Sequence, residues 1–287
     1  MTQNNNLSVL PFYTSIDEQN HRKSYSYGDI YPLYAHVTCL PAFQIIRETR
    51  SGATFSVILY RKDGTQVADI TTQMVAAGLQ VVRFEALGYD VIVFPASVSN
   101  LTGITVGQYY IRVSDGTEQW YSDIVTLVAD VSPYLRLEWF SRENVIYEGG
   151  QVVYVNPTFH NRLYLCTELG KPDYNFEEEG ENRDGFFFPE KQLSEKVYKF
   201  TFLASEYLCD VMRLIRMADY IFMRDKYGRQ YRADQFLMTP KWEEQGNLAS
   251  VEVEFHTDTV VKKVGHGYLA ATSADFNVDF NDDYNTL

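Results

Sequence analysis

The chain has 287 residues, of which 45% are hydrophobic and 22% charged, a balance ordinary for a globular protein. A length of that order predicts one or two domains and a substantial buried core. The net charge of −13 weighs against a grip on phosphate backbones or on anionic lipid surfaces.

Other exclusions follow from the same sequence. No apolar run approaches the ~18 residues a membrane span needs, and no basic stretch leads into an apolar one at the start. Neither a membrane span nor a secretory signal is therefore expected. Cys39, Cys166 and Cys209 are odd in number and far apart, which suits reduced thiols made in a cytoplasm better than a disulfide framework. Aromatic residues make up 15% of the chain, with 22 Tyr and 18 Phe. Such rings favour strands and interfaces, because they bury much area and Tyr keeps a polar tip.

Residues 1–27 are polar and read as an extended N-terminal arm. Residues 28–130 read as many short strands. Phe55, Val57 and Leu59 alternate with Ser56, Ile58 and Tyr60, and Asp63-Gly64 then signals a hairpin. Strands are expected at 79–85, 89–94, 108–114 and 120–128. About seven strands in about 100 residues predict an immunoglobulin-like β-sandwich. The run Gly107–Gly116 resembles the last hairpin of immunoglobulin-like and fibronectin-like domains, although the Cys–Trp–Cys core of antibody domains is absent.

Asp130-Val-Ser-Pro133 reads as a linker into a second β-rich domain over 134–265. Tyr134–Phe140 alternates as a strand, and 159–169 gives another. The stretch Lys171–Gly185, crowded with acids and punctuated by Pro and Gly, reads as a long acidic loop. One strong helix pattern follows, over 205–218, entered by a strand at 197–203 and left by one at 220–224. Ser205 is the expected N-cap, and Leu208, Val211, Met212, Ile215 and Ala218 form one apolar stripe. Cys209 should pack there as a small apolar residue. In Leu248–Thr257, Val251, Val253 and Phe255 alternate with Glu252, Glu254 and His256, so one sheet face should be wet. Residues 266–287 form an acidic tail with spaced aromatics. The expected fold is thus mainly β: an N-terminal immunoglobulin-like β-sandwich, then a β-rich domain with one main α-helix packed on its sheet.

A search for chemistry finds little. His21, His36, His160, His256 and His266 lack metal-ligand spacing. No phosphate-binding glycine loop, dinucleotide fingerprint or nucleophile elbow occurs. Residues 177–184 could hold calcium or supply a carboxylate pair, but acids clustered in one loop usually repel each other and stay in water. Trp120, Trp139 and Trp242 could stack on sugars, though buried tryptophans are commoner in a β-sandwich. No catalytic residue, cofactor or metal ligand is expected. The candidate subunit-interface residues are Asp210 and Arg213, on the charged face of the helix, and Phe276, Phe280 and Tyr284 in the tail.

The stretches Glu168–Gly180, Phe188–Lys191 and Lys199–Tyr220, with Leu10–Ser24 near the start, carry a resemblance. They are similar to structural proteins of tailed phages and prophages of Bacteroides-like bacteria. The resemblance implies a non-enzymatic virion part in the tail, baseplate or neck, made in the host cytoplasm. Its implied partners are copies of itself and other virion proteins, with no specific nucleic-acid or membrane binding. Virion rings are commonly built from β-sandwiches whose arms and edges pair with neighbours. A carbohydrate-binding module stays open as an alternative, as does a glycoside hydrolase using the acidic stretch. The first would need an exposed tryptophan, the second two carboxylates about 5–10 Å apart in a cleft.

Overall fold

A computed structural model describes residues 8–17, 33–49, 54–95, 101–142, 145–146, 152–154, 159–242, 248–257 and 261–264. The first strands are β1 (Phe12–Tyr13), β2 (Leu33–His36), β3 (Phe43–Glu48), β4 (Ser56–Arg61), β5 (Gln66–Asp69), β6 (Gln80–Phe84) and β7 (Tyr89–Phe94). They continue as β8 (Gly107–Ser114), β9 (Gln119–Ser122), β10 (Val125–Val128), β11 (Leu135–Phe140), β12 (Val145–Ile146), β13 (Val152–Tyr154) and β14 (Asn161–Leu165). The last are β15 (Asp173–Arg183), β16 (Phe186–Ser205), β17 (Tyr220–Arg224), β18 (Gln230–Trp242), β19 (Leu248–Thr257) and β20 (Val261–Val264). The short helices α1 (Thr71–Ala76) and α2 (Glu206–Met212) interrupt them. The protein is mainly β, as its sequence predicts.

The chain divides into two compact units, Met1–Asp173 with Val197–Asp258, and Tyr174–Lys196 with Thr259–Leu287. In the first unit, β8 is the centre of a sheet. It pairs with β4 on one edge and with β9 and β10 on the other. The return strand expected over 120–128 is split there, because Asp123 caps the Ile124 N–H with its own carboxylate at 2.7 Å. The Asp63-Gly64 hairpin forms as expected, with Gly64 at φ +90°, a value a side chain would strain. Helix α1 was not expected. The Asp69 carboxylate accepts from the Thr71 N–H at 2.9 Å and starts the turn, and Met74 anchors it in the core.

A three-stranded sheet, β3–β7–β6, forms a middle layer. Ile92 and Phe94 of β7 point into a core shared with Val57, Ile111 and Trp120. Val91 and Val93, on the other face, join a second core with Leu137, Trp139 and Phe200. Both faces of β7 are therefore dry, which its unbroken apolar run Val91–Phe94 suits. The linker expected at 130–133 thus joins parts of one compact unit. Within the stretch expected as an arm, Val9, Leu10 and Phe12 are buried, and β1 pairs with β9. The polar residues around Leu10-Pro-Phe12 hide that anchor in a composition average.

The second large sheet runs β14–β11–β17–β18–β19–β16 within this unit. The alternation read in 248–257 is realised: Val251, Val253 and Phe255 are buried, while Glu252 is exposed. Ser205 caps α2, its hydroxyl accepting from the Leu208 N–H at 3.3 Å. The helix expected over 205–218 is α-helical only to Met212 and then tightens into a 3₁₀ turn, Arg213–Met217. Leu214 and Ile215 within that turn are both buried. Val211, Met212 and Ile215 cover Phe200, Phe202 and Val251 as the apolar stripe predicts.

Candidate assembly surface

The second unit corrects the largest sequence expectation. Lys171–Gly185 is not a long acidic loop. From Asp173 onward it is strand β15, folded back on β16 through a tight turn. Asp184 and Gly185 hold that turn with φ of 53° and 85°. Positive φ at both central residues is the geometry Asp-Gly favours in two-residue hairpins. Acids that would repel one another in a loop gain partners across the pair. The Gln192 amide donates to Glu178 at 2.6 Å, Lys191 pairs with Glu179 at 3.6 Å, and the Lys196 ammonium lies 5.9 Å from the centre of the Tyr174 ring.

The hairpin leaves large apolar groups in water. Tyr174, Phe176, Phe186 and Phe187 are 66%, 59%, 71% and 46% exposed. Tyr174 and Phe176 lie at the base of the hairpin and Phe186 and Phe187 at its tip, and each such ring in contact with a partner would bury well over 100 Å². β15 ends the strand order, so its outer edge has unpaired N–H and C=O groups among the described residues. Exposed rings beside an open edge, with acids that limit indiscriminate pairing, are what a docking element would present.

The helix-face pair is present but modest. Arg213 Nε stands 3.8 Å from Asp210 Oδ1, with both side chains about half exposed. An exposed pair of this kind contributes about 0.2–1 kcal/mol. Both side chains stand clear of the core. Phe276, Phe280 and Tyr284 lie outside the described residues.

The chemistry-bearing groups are scattered. No cluster of three or more His, Cys, Asp or Glu suited to a metal occurs among the described residues. A cleft of about 340 Å³ beside the β4–β5 turn is lined by Arg61, Lys62, Asp63 and Tyr109. Its one carboxylate, Asp63, accepts from the Thr65 N–H at 2.8 Å. Trp120 and Trp139 are buried, whereas Trp242 is 47% exposed. Cys209 is buried as expected, and burial, helped by the nearby charges of Asp210 and Glu206, pushes its thiol up to about 11.

A charge cluster on β11 and β14 was not anticipated. Glu138 lies 3.3 Å from an Arg162 nitrogen, 3.6 Å from Arg136 Nε and 3.7 Å from His160 Nδ1. Burial raises its pKa, but the His160 hydrogen bond and the Arg162 charge outweigh it and hold the carboxyl at about 2. The folded value is below the ordinary 4.5, so this contribution is complete above that pH and fades as pH falls toward 2. Replacement with Gln is expected to flatten the acid limb of the stability–pH curve between those values. Thermal melts of both proteins from pH 7 to 2 check this, and parallel curves would count against it.

No protein-family model matches the chain, and no curated protein matches it either.

Proposed function

We propose that this chain is a non-enzymatic structural protein of a tailed-phage virion, a part of the tail, baseplate or neck. It works by assembling with copies of itself and with other virion proteins. The observation that carries the reading is the β15–β16 hairpin. Four exposed aromatic side chains and an open strand edge suit a neighbour's surface. In this reading the sheets around the N-terminal core are an immunoglobulin-like sandwich, with β8 and its return strands as the hairpin that carries the likeness.

Native mass spectrometry with electron microscopy of the purified protein tests the proposal. Oligomers are expected, and Y174S/F176S/F186S/F187S is expected to reduce them to monomers without lowering the melting temperature. A strictly monomeric wild-type chain would overturn the reading. One observation favours a second reading, a carbohydrate-binding module: Trp242, at the end of β18, is exposed enough to stack on a sugar. Glycan binding abolished by W242A, in a monomeric protein, would establish that reading instead.

A further inference from the structure

The outer face of the second sheet carries an ordered grid of arginine and aromatic side chains. The core takes Leu135, Leu137 and Trp139 of β11 and Ile221 and Met223 of β17. Alternation therefore turns Arg136, Glu138 and Phe140, and Tyr220, Phe222 and Arg224, to the opposite face. Register sets these residues side by side: Arg136 is opposite Arg224, Glu138 opposite Phe222, and Phe140 opposite Tyr220. On the next strands, Arg162 stands opposite Glu138 and Arg232 opposite Phe222.

The rings form a row. Phe140 stacks on Tyr220 with ring centres 4.8 Å apart, and Phe222 lies 6.1 Å from Phe140. Two guanidiniums flank Tyr220, those of Arg142 and Arg232, at 5.0 and 5.4 Å from the ring centre. The charge on this face is lopsided. Glu138 is shared by Arg136, Arg162 and His160. Arg224 and Arg232 are exposed and have no carboxylate partner among the described residues. Two like charges directly opposite, Arg136 and Arg224, repel across the strand pair. In a chain of net charge −13, a face with surplus arginine is an exception with a cost. An anion laid over it would remove that cost.

The chain itself contains a matching segment. Asp275-Phe276, Asp279-Phe280 and Asp283-Tyr284 repeat an acid–aromatic pair every four residues, and no Lys or Arg occurs from 265 to 287. Arginine beside an aromatic ring is the complement of aspartate beside an aromatic ring, through charge-assisted hydrogen bonds and ring stacking. We propose that the outer face of β11, β17 and β18 is the receptor for residues 275–284 of a second copy, an acidic–aromatic peptide held by Arg224, Arg232 and the Phe140–Tyr220–Phe222 row. This rests on the assembly reading and names the site that the segment occupies.

The test uses the full-length chain and a fluorescein-labelled peptide of residues 273–286, read by fluorescence anisotropy. The peptide is expected to bind, and its affinity to fall about tenfold or more for R224E/R232E. A peptide carrying D275N, D279N and D283N should lose a comparable factor, and added salt should weaken binding. Both arginines are exposed, so the double variant should melt with the wild type, and that melt is measured alongside. No binding, or equal affinity for both proteins, would overturn the proposal. Tighter binding of a thymidine oligonucleotide of the same length would overturn it too, by making the face a single-strand nucleic-acid platform. Native mass spectrometry separates the two claims. Oligomers formed without any peptide binding would end the receptor proposal and leave the assembly reading standing. A monomeric chain would end the assembly reading.

Discussion

Replacing Arg47 with Met is expected to destabilise the first compact unit by about 3–5 kcal/mol, the loss typical when one partner of a buried ion pair is removed. Arg47 is in β3, and its side chain is 2% exposed. It donates to Asp115, beyond β8, and to Asp90 of β7 at 3.3 Å. The two carboxylates are essentially inaccessible to solvent, with side chains 0% and 1% exposed for Asp90 and Asp115. Asp115 would keep its backbone donors, Thr117 N–H at 2.9 Å and Glu118 N–H at 2.8 Å. Asp90 would keep its pair with Arg83 Nε, at 3.2 Å. That guanidinium is half in water and compensates poorly. The charge left behind, more than the lost attraction, sets the cost. R47M/D90N should therefore be more stable than R47M alone, because one buried charge is gone. Calorimetric melts check both. A fall of about 10 °C is expected for R47M, and a melt within about 1 °C of the wild type would mean that the network does not hold the sheets together.

The second large effect is expected from Val253→Asp. Val253 is 2% exposed in the core beneath α2 and lies opposite Phe200 and Met238 on the neighbouring strands. Loss of its burial costs about 1.5–3 kcal/mol. A carboxylate in its place adds several kcal/mol of desolvation with no partner in reach. The sum is comparable with the entire 5–15 kcal/mol that keeps a domain folded. The variant is expected to be unfolded or aggregated at 25 °C, while Glu252→Gln, one residue away on the wet face, should melt close to the wild type. Circular dichroism of the two variants makes the comparison. A folded V253D with unchanged stability would show that the strand register is shifted by one residue.

Much of the fold was legible because it is written in nearest neighbours. The alternation of β11 and β19, the Asp63-Gly64 turn, the Ser205 cap and the apolar stripe of α2 each depend on residues a few positions apart. Where the reading failed, a local signal was present but outvoted. Asp184-Gly185, between Tyr174-Asn-Phe176 and Phe186-Phe187, is a hairpin signature, yet five acids and two glycines in that stretch pointed to a loop. The cross-strand partners Lys191, Gln192 and Lys196 decided it, and their alignment exists only once the strands pair. Helix α1 began with two threonines, which favour strands, and needed Met74 to find a pocket.

The candidate surfaces divide the same way. Asp210 and Arg213 were found from helical spacing alone, and spacing is all that pairs them. The Arg47–Asp90–Asp115 network joins residues 25 to 68 positions apart, and no period relates them. The arginine–aromatic grid draws on four strands, and its rows run across the sheet, perpendicular to the chain. A sequence records which face of a strand each side chain takes, since that follows from period two. It does not record which strand lies alongside, because pairing is settled by the closure of the whole sheet. The sequence by itself therefore determined a β-rich chain with one capped helix on a sheet and acidic, aromatic ends. Only the tertiary structure decided that the acidic stretch is a hairpin with exposed rings, that β7 is dry on both faces, and that the surplus arginines share one face.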